Sequence, residues 1–555
     1  MSSHRYQTYP YCPANEKPGY RHKVAIVGAG PVGLTAAIDL AQHGVECVVL
    51  DEDDTVSVGS RAICWAKRTL EIFDRLGAVQ PMMAKGITWH RGRVFHGDRE
   101  LYSFDLLPEL DHEYPAFINL QQYYVEEALV ARSAQLPAID LRWRHKLIGL
   151  RAADDAMLLE VETLDGGYAL AAQFVIAADG ARSSARRLLG LEFEGRAFED
   201  RFLISDVKMK ADFPTERWFW FAPPFHPGPS ALLHRQADDI WRIDLQLGAD
   251  VDPEEEKKPE RVIPRLKAML GPDRPFELEW VSVYRFQCRM LDRFRHGRVI
   301  FVGDSAHQVS PFGARGGNSG IQDADNLCWK LALVLAGEAP DALLDTYDAE
   351  RAPAACENIR VTTATTDFMS AKGASAIAFR DAVLELAETT PCARAFVNSG
   401  RLSLPATLRG SSLNTPDRDQ FSGSLPPGAP AADAPVERAG KPDWLLGELG
   451  GTFALLVFGD TAAAKAAIAS LHPHLPPLRL ISIDAAGKAP QDLTDVKGIA
   501  CQRYDAEPGS AYLLRPDQHI AARWRKIDAA ALDSAFRRAL GLAETTPLGM
   551  ALTGD

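Results

Sequence analysis

The sequence predicts an α/β protein in which a Rossmann-like nucleotide-binding domain is interrupted by an inserted mixed β-sheet and followed by a smaller α/β domain. Three observations predict this class. A glycine-rich turn joins a strand to a helix near residue 30, aromatic alternating strands fill the region between about 190 and 290, and a Pro- and Gly-rich break at 401–440 precedes the last α/β stretch. A chain of 555 residues is also too long for one hydrophobic core.

The glycine-rich turn has the sequence Gly28-Ala29-Gly30-Pro31-Val32-Gly33. It follows an apolar run at residues 23–27 and opens a helical stretch at 34–43. In this context Gly28 permits the tight turn, Gly30 lets backbone N–H groups approach a pyrophosphate, and Gly33 allows the helix to pack close to the strand. A second strand at 46–50 ends at Asp51, whose carboxylate is placed to accept hydrogen bonds from a ribose diol. This unit predicts a bound dinucleotide.

Two further motifs follow predicted strands. Asp179-Gly180 ends an apolar strand at 174–178; a lone Asp-Gly pair is a common turn, but this position favours a nucleotide contact. A strand at 299–302 leads into Gly303-Asp304, where the carboxylate can bind the ribityl chain of a flavin. The free N–H donors near Gly317 and Asn318, before a helix at 321–336, suit the N1 and C2 carbonyl region of a reduced flavin. Together the three motifs predict FAD.

The other elements follow from hydrophobic periodicity. Helices are predicted at 68–76 and 121–136, a hairpin at 158–163 and 168–178, and the last domain at 452–458, 462–471, 478–483 and 529–540. The expected domains are the first part of the FAD-binding domain at 21–190, an inserted substrate-binding sheet at 191–290, the second part of the FAD-binding domain with helices at 291–400, a linker at 401–440 and the small α/β domain at 441–555.

Composition limits the function classes. A net charge of -13 argues against a nucleic-acid partner, because phosphate binding relies on clustered Lys and Arg. No apolar run reaches the length of a membrane span and residues 1–20 do not have the pattern of a signal peptide, so a cytoplasmic protein without a membrane partner is expected. The eight cysteines include no Cys-x-x-Cys pair, so neither a redox dithiol nor a metal site is predicted, and most are expected to be buried.

The three motifs, with Arg61-Ala62 after Asp51 and Gln122 four residues before Glu126, resemble the class A flavoprotein monooxygenases that share the para-hydroxybenzoate hydroxylase fold. By pattern, the 3-(3-hydroxyphenyl)propionate hydroxylase and phenol hydroxylase type enzymes are the most similar. The resemblance covers about residues 22–370 and returns at 512–521, which is similar to the end of their thioredoxin-like domain. It implies a Rossmann-like FAD-binding domain, an inserted mixed β-sheet substrate domain and a C-terminal thioredoxin-like domain. Because this tail lacks redox cysteines, it is expected to be structural or dimer-forming.

The resemblance also implies roles for individual residues. Arg61 and Gln122 are expected to contact FAD, and Pro311 to lie near the isoalloxazine ring. The family usually has Gly-Gln-Gly where this chain has Ala314-Arg315-Gly316, so Arg315 either places a cation near the flavin or an anionic substrate, or points to solvent. Pro311 and Arg315 are the candidate catalytic residues, and His234, Arg242 and Tyr284 the candidate substrate-binding residues. The expected cofactor-binding residues are Gly28, Gly30, Pro31, Gly33, Asp51, Arg61, Gln122, Leu147, Asp179, Gly180, Gly303, Asp304, Pro311, Gly316, Gly317 and Asn318.

The implied activity is hydroxylation of a phenolic or other electron-rich aromatic substrate. NAD(P)H would reduce FAD, O2 would give a flavin C4a-hydroperoxide, and its distal oxygen would pass to the ring. His226 and His234 are candidates for a base that removes the phenol proton. The expected partners are a small aromatic substrate and O2, with a possible homodimer.

Three alternatives stay open at this stage. A flavin-dependent halogenase is one, because residues 218–223 are close to a Trp-x-Trp-x-Ile-Pro signature, which Ala222 breaks. A non-catalytic FAD-binding protein and a plain dehydrogenase, which would incorporate no oxygen, are the others.

Overall fold

The computed structural model describes residues 4–17, 19–59, 61–107, 109–397, 403–423, 425–484 and 493–542. The predicted boundary between residues 400 and 401 lies outside these ranges, as do residues 543–555 of the predicted last domain.

The nucleotide-binding domain is built on a mainly parallel sheet. Buried apolar runs form its central strands, as expected for strands covered on both faces. In spatial order its main strands are Arg295–His296, Val299–Phe301, Gly166–Ala177, Arg21–Val27, Cys47–Asp51 and Ile139–Trp143, and the strands Lys146–Ala153 and Ala156–Thr163 extend it as an antiparallel hairpin. The predicted strands at 23–27, 46–50, 158–163, 168–178 and 299–302 are therefore confirmed to within a few residues.

Helices cover this sheet and carry the chain between its strands. Pro31–Gln42 and Gly316–Ala336 pack against each other, and both begin several residues earlier than the apolar periodicity predicted. The other helices before the C-terminal sheet are Lys67–Arg75, Val79–Lys85, Gln122–Ser133, Ser184–Leu188, Pro253–Glu256, Pro259–Leu270, Asp345–Met369, Ala374–Thr389 and Pro391–Arg394, with short 3-10 turns at Gly303–Ser305 and Asp341–Leu344.

The second large sheet has eight strands. In spatial order they are His307–Gln308, Glu277–Met290, Glu194–Lys208, Ile240–Leu247, Ser230–Arg235, Arg217–Phe221, Arg91–His96 and Arg99–Asp105. The expected insertion at 191–290 is therefore too narrow, because residues 91–105 supply two of its strands. Arg91–His96 pairs in parallel with the distant Arg217–Phe221, a contact that local sequence patterns do not encode. A small sheet of Cys64–Ala66, Phe117–Asn119 and Ile87–Trp89 lies beside it.

The two faces of the eight-stranded sheet have different partners. Alternate residues such as Leu203 and Trp241 pack against the helix Pro259–Leu270. The opposite face, which we call the inner face, presents Phe202, Phe221 and the charged residues of the same strands, and its apolar part packs with Phe312 and the helices after residue 345. The inner face therefore lies towards the segment that carries the third motif.

The described residues of the C-terminal domain form a seven-stranded sheet and three helices. In spatial order its strands are Lys441–Trp444, Pro435–Arg438, Leu493–Thr494, Leu478–Asp484, Phe453–Phe458, Ala511–Leu514 and Ile520–Trp524, and its helices are Ala462–Ala469, Ile499–Arg503 and Ala529–Ala539, with a 3-10 turn at Leu445–Glu448. The predicted strands at 452–458 and 478–483 and helices at 462–471 and 529–540 are confirmed to within a few residues.

The predicted linker at 401–440 is in part an ordered component of this domain. Its last residues form the strand Pro435–Arg438, and Leu408 and Leu413 are buried. The Thr415 amide donates to the Ala521 carbonyl at 2.8 Å. Proline and glycine content therefore marks irregular backbone here rather than a free tether.

Two composition-based expectations can be compared with the structure. Within the described parts of the chain, no helix combines the length and apolar composition needed to span a bilayer. Four of the cysteines are buried: Cys47, Cys64, Cys288 and Cys328. The expectation that most cysteines are buried was too broad, because Cys12, Cys356 and Cys392 are exposed.

Candidate functional site

The glycine-rich turn has room for a nucleotide on one side only. Gly28 has φ +103°, and an added Cβ would lie 2.6 Å from the Ala178 carbonyl oxygen. A Cβ on Gly33 would lie 1.9 Å from the Gly28 carbonyl oxygen, so both glycines are required by packing. A Cβ on Gly30 would meet no atom within 4 Å among the described residues, and Pro31 is the first residue of the helix. This open space beside a helix N-terminus fits a pyrophosphate.

Asp51 closes the same turn. Its Oδ2 accepts a hydrogen bond from the Ala29 amide at 2.6 Å, and its Oδ1 accepts one from the Asp53 amide at 2.9 Å. Burial raises the pKa of Asp51 to about 6, although both amides oppose the shift. At neutral pH the group is a partly buried carboxylate with lone pairs left for a ribose diol.

The loop that carries Arg61 is fastened by the helix Gln122–Ser133. Gln122 Oε1 accepts a hydrogen bond from the Ala62 amide at 3.0 Å. Glu126 is buried and accepts bonds from the Ser57 amide at 2.6 Å and the Ser57 hydroxyl at 2.8 Å, while burial raises its pKa to about 7. Gln122 therefore positions the loop, and Arg61, which is exposed, is left at its surface.

The second motif has an unused acceptor. Asp179 Oδ2 accepts a hydrogen bond from the Ala185 amide at 2.9 Å. Its Oδ1 is buried and has no hydrogen-bond partner among the residues that the structure describes, and Gly180 has φ +70° with open space where a side chain would point. An orphaned buried acceptor beside an open position is compatible with a ligand at this turn.

Asp304 lies at the bottom of an open cleft. It is exposed, although its neighbours from 299 to 303 and from 305 to 308 are all buried. Burial by the surrounding protein raises the pKa of its carboxyl, against the charges of His307 and Arg61. Gly303, with φ +63°, lets this turn approach the helix, and its amide donates to Asp323 Oδ2 at 3.0 Å. A solvent-accessible carboxylate with protein on its other sides suits a bound polyol chain.

The helix Gly316–Ala336 begins beside Asp304. An added Cβ on Gly316 would lie 3.8 Å from Asp304 Oδ1, and the first intrahelical bond runs from the Ser319 amide to the Arg315 carbonyl at 2.8 Å. The amides of Gly316, Gly317 and Asn318 therefore have no acceptor within the helix. The Asn318 side chain is committed elsewhere: it accepts bonds from the Ala66 amide and the Thr69 hydroxyl and donates to the Cys64 and Ala314 carbonyls. Only its backbone is available to a cofactor.

The two candidate catalytic residues differ in exposure. Pro311 is exposed in the cleft, as expected for a residue beside a ring. Arg315 is only 8% exposed and donates to Asn358 Oδ1 at 2.7 Å, so the alternative that it points to solvent is wrong. Burial lowers the pKa of Arg315. Its guanidinium is a buried cation at the start of the helix.

The candidate substrate-binding residues all belong to the inner face. His234 is opposite Arg242 in the strand register, and Tyr284 is opposite Phe202 on the same side of the sheet. Arg242 makes a bidentate ion pair with Asp206, at 2.8 and 2.9 Å, and donates to the Arg61 carbonyl at 3.3 Å. It therefore joins the inner face to the Arg61 loop.

The two candidate histidine bases are both buried. His234 is 2% exposed, and burial, with the charges of Arg217 and Arg242, lowers its pKa well below the usual value. His226 lies away from this row and contacts the Gln246 carbonyl through Nε2 at 2.7 Å. Burial also lowers the pKa of His226, so both rings are neutral at neutral pH.

Asp244 and Arg217 are inner-face residues that the sequence analysis missed. Asp244 Oδ1 and Arg217 Nη1 are buried atoms with no hydrogen-bond partner among the described residues, although each side chain is partly exposed. Burial raises the pKa of Asp244 to about 6, against the charges of Arg242 and Arg217. The signal that could have found them is the alternation that places Arg217, His234, Arg242 and Asp244 on one face of adjacent strands.

Other predicted features lie away from this cleft. The Leu147 side chain is part of the hydrophobic core, so it is not available to a ligand. Trp218 and Trp220, the tryptophans of the halogenase-like sequence, pack on the face opposite the inner face. That face is covered by the helix Pro259–Leu270 and does not border the cleft.

A Rossmann-type sheet with this glycine turn, beside a second large sheet, is typical of dinucleotide-dependent oxidoreductases. A family profile described as "FAD binding domain" matches residues 21–362. The chain belongs to this family.

Individual proteins support the assignment. A flavin-dependent monooxygenase of Mycobacteroides abscessus is 31% identical over 79% of this chain and 89% of its own length. A 3-(3-hydroxy-phenyl)propionate/3-hydroxycinnamic acid hydroxylase of Mycobacterium sp. (strain JLS) is 30% identical over 92% of this chain and 90% of its own length. Among solved structures, aklavinone-11 hydroxylase in a ternary complex with FAD and aklavinone has a TM-score of 0.77 and 25% sequence identity. The match covers 94% of this chain and 100% of the hydroxylase chain. The chain is therefore a flavin-dependent monooxygenase, and the predicted family, fold class and cofactor FAD are confirmed.

Proposed function

We propose that this enzyme hydroxylates a phenolic ring, with NAD(P)H as the electron donor and O2 as the oxygen donor. When bound, the flavin supplies the oxygen chemistry. One oxygen atom goes to the ring and the other leaves as water, so each turnover needs two electrons from a donor such as NAD(P)H. An aromatic substrate is supported by the name of the Mycobacterium sp. (strain JLS) relative, a 3-(3-hydroxy-phenyl)propionate/3-hydroxycinnamic acid hydroxylase, and by the hydroxylase solved with FAD and aklavinone.

The observation that carries the proposal is the unsatisfied pair on the inner face. A phenol hydroxyl both donates and accepts a hydrogen bond. Asp244 Oδ1 can accept the hydroxyl proton, and Arg217 Nη1 can donate to the phenol oxygen. The ring would then lie among Tyr284, Phe219 and Phe312, which are aromatic neighbours in the same cluster. Transfer of the hydroxyl proton towards the Asp244 carboxylate would leave the ring more electron-rich and so a better nucleophile.

The remaining site residues have positioning roles in this proposal. The amides at the start of the helix Gly316–Ala336 would stabilise negative charge on the cofactor ring, and Asp304 would hold its side chain. Arg315 adds a buried cation at the same helix end, and the exposed Pro311 would border the cofactor ring. A homodimer and a cytoplasmic location stay predictions from the sequence.

The test uses the purified holoenzyme and a panel of phenols that includes 3-(3-hydroxyphenyl)propionate. We expect substrate-stimulated oxidation of NADH or NADPH and one atom of 18O from 18O2 in the product. A chloride-dependent product would favour a halogenase, and reduction of an electron acceptor without 18O incorporation a dehydrogenase. Bound FAD without turnover on any phenol would favour a non-catalytic protein; each of these outcomes contradicts the proposal.

A further inference from the structure

A second cleft lies at the edge of the inner face, outside the site described above. Its walls come from residues 4–6, the loop at 58–59, the start of the helix Gln122–Ser133 and the strands Glu194–Lys208 and Glu277–Met290, and its volume is about 430 Å³. Residues 4–6 precede the segment that the family profile matches, 21–362.

Aromatic rings form much of the wall. The His4 ring stacks on the Tyr123 ring with centroids 4.1 Å apart, and Tyr6 meets Tyr123 edge to face at 5.4 Å. Tyr124 and Trp280 line the same space. Such walls bind planar heterocycles by stacking.

The cleft is lined by two cations and three carboxylates. Two of the carboxylates have partners: Asp206 is paired with Arg242, and Asp238 is paired with Lys85 at 2.6 Å. Asp238 also accepts a hydrogen bond from Tyr124. The third carboxylate of the cleft is Glu279. Arg5 and Lys208 also line the cleft; within the described residues neither makes a direct ion pair, although the charge of Lys208 helps to lower the pKa of Asp238. Cations beside aromatic rings suit a ligand that carries phosphate groups and planar rings.

The cleft shares a wall with the loop that carries Arg61. Gly59 lies against Trp280 so closely that an added Cβ would be 2.4 Å from its Nε1, and the Gly59 amide donates to the Tyr6 hydroxyl at 3.0 Å. The Arg242 guanidinium lies 5.5 Å from the Trp280 ring centroid and donates to the Arg61 carbonyl. The cleft therefore borders the loop that carries Arg61, one of the residues expected to contact FAD.

We propose that this cleft is the docking site for the nicotinamide dinucleotide. Planar rings of the nucleotide stack on Tyr6 and Trp280, and its phosphates bind Arg5 and Lys208. The inference rests on the proposed function, in which NAD(P)H donates a hydride to the flavin and leaves as NAD(P)+. The chain has no second glycine-rich dinucleotide fingerprint beside residues 28–33, so a site of this side-chain type accounts for how the nucleotide is held.

The experiment measures binding directly on the holoenzyme. NAD+ and NADP+ are titrated by calorimetry, and flavin reduction by NADH or NADPH is followed by anaerobic stopped flow. We expect the double variant Arg5→Ala, Lys208→Ala to raise the Kd for the preferred nucleotide by about tenfold or more, with a parallel rise in the nucleotide concentration for half-maximal reduction. The FAD content and the KM for the phenol stay unchanged.

Two further variants complete the test. Tyr6→Ala removes a stacking ring and is expected to raise the same Kd, whereas Arg99→Ala with Lys372→Ala removes two exposed cations elsewhere and leaves it unchanged. Wild-type nucleotide affinity in both cleft variants, or a loss of FAD in place of a loss of nucleotide, would overturn the proposal. If the wild-type enzyme oxidises neither nucleotide with any phenol, the proposed function fails, while the NAD+ and NADP+ titrations still decide on the cleft.

Discussion

Arg515 and Glu350 form a bidentate ion pair in which neither side chain reaches solvent. The Nη1–Oε1 distance is 2.6 Å and the Nη2–Oε2 distance is 3.0 Å. Arg515 follows the strand Ala511–Leu514 of the C-terminal sheet, and Glu350 lies on the helix Asp345–Met369. Lys330, on the helix that begins at the proposed flavin site, donates to Glu350 Oε2 at 2.7 Å. The C-terminal domain is thereby fixed to the helix Gly316–Ala336.

This pair predicts a large loss of stability on truncation. Burial alone would raise the pKa of Glu350, but Arg515 and Lys330 outweigh it and hold the pKa well below its usual range. We expect Arg515→Ala to lower the free energy of unfolding by about 3–5 kcal/mol, because it leaves a buried carboxylate with one cation fewer. Urea denaturation and thermal melting measure the change. The control Lys372→Ala breaks an exposed pair with Glu199 and should cost less than about 1 kcal/mol. Equal effects of the two variants would contradict the argument.

The motifs at residues 28–33, 179–180 and 303–304 could be predicted because each is a strand end followed by a turn. The chemistry of such a turn is local in the sequence. The inner-face pair Asp244 and Arg217 could not be predicted in the same way. Those two residues lie on the first and third of three consecutive antiparallel strands, so their meeting depends on the register of two strand pairs. Residues 91–105, for which no strands were predicted, fall in the range expected for the FAD-binding domain but join the second sheet by pairing with the distant strand Arg217–Phe221.

The contacts that hold the C-terminal domain against the nucleotide-binding domain could not be predicted from the sequence either. Arg68 donates to Gln518 Oε1 at 2.7 Å and to Asp325 Oδ2 at 3.0 Å, although nearly 450 residues separate Arg68 from Gln518. Charged residues are usually surface residues, so a composition argument places Arg515 and Asp517 in solvent. In the structure they are buried because each charge is paired.

Two glycines of the first motif should respond differently to the same substitution. We expect Gly30→Ala to leave the fold intact, because its Cβ would point into open space, but to weaken FAD binding by at least about tenfold if the pyrophosphate lies there. Gly33→Ala should instead destabilise the fold, because its Cβ would lie 1.9 Å from a carbonyl oxygen. Melting curves of the apoprotein and FAD titration separate the two effects. Gly248→Ala, which also has open space, is the control; wild-type FAD affinity in Gly30→Ala would place the pyrophosphate elsewhere.

Asp244 predicts a specific pH dependence of stability. Its pKa is raised to about 6 in the folded protein, so the folded state binds the proton more tightly than the unfolded state does. The favourable contribution of the Asp244 carboxyl to the free energy of unfolding is therefore fully present below about pH 4. It is lost as the pH rises through about 6. We compare the change in the free energy of unfolding that Asp244→Asn causes at about pH 8 with the change it causes at about pH 4. The change at the higher pH should be more stabilising by about 2 kcal/mol. The same variant should lower turnover of phenols. A stability difference that is equal at both pH values would contradict the raised pKa.

Arg315 predicts a change in the reduction potential of the flavin. Its guanidinium is buried at the start of the helix Gly316–Ala336, where the surrounding protein screens charge less than water does. A cation at this position favours the reduced, electron-rich cofactor, so Arg315→Gln should lower the potential, while Arg315→Lys should keep most of it. Spectroelectrochemical titration of the purified holoenzymes measures this without turnover. Asn358→Ala removes the hydrogen-bond acceptor at 2.7 Å but not the charge, and it should change the potential less than Arg315→Gln. An unchanged potential in Arg315→Gln would mean that the guanidinium acts on the fold of the helix start and not on the cofactor.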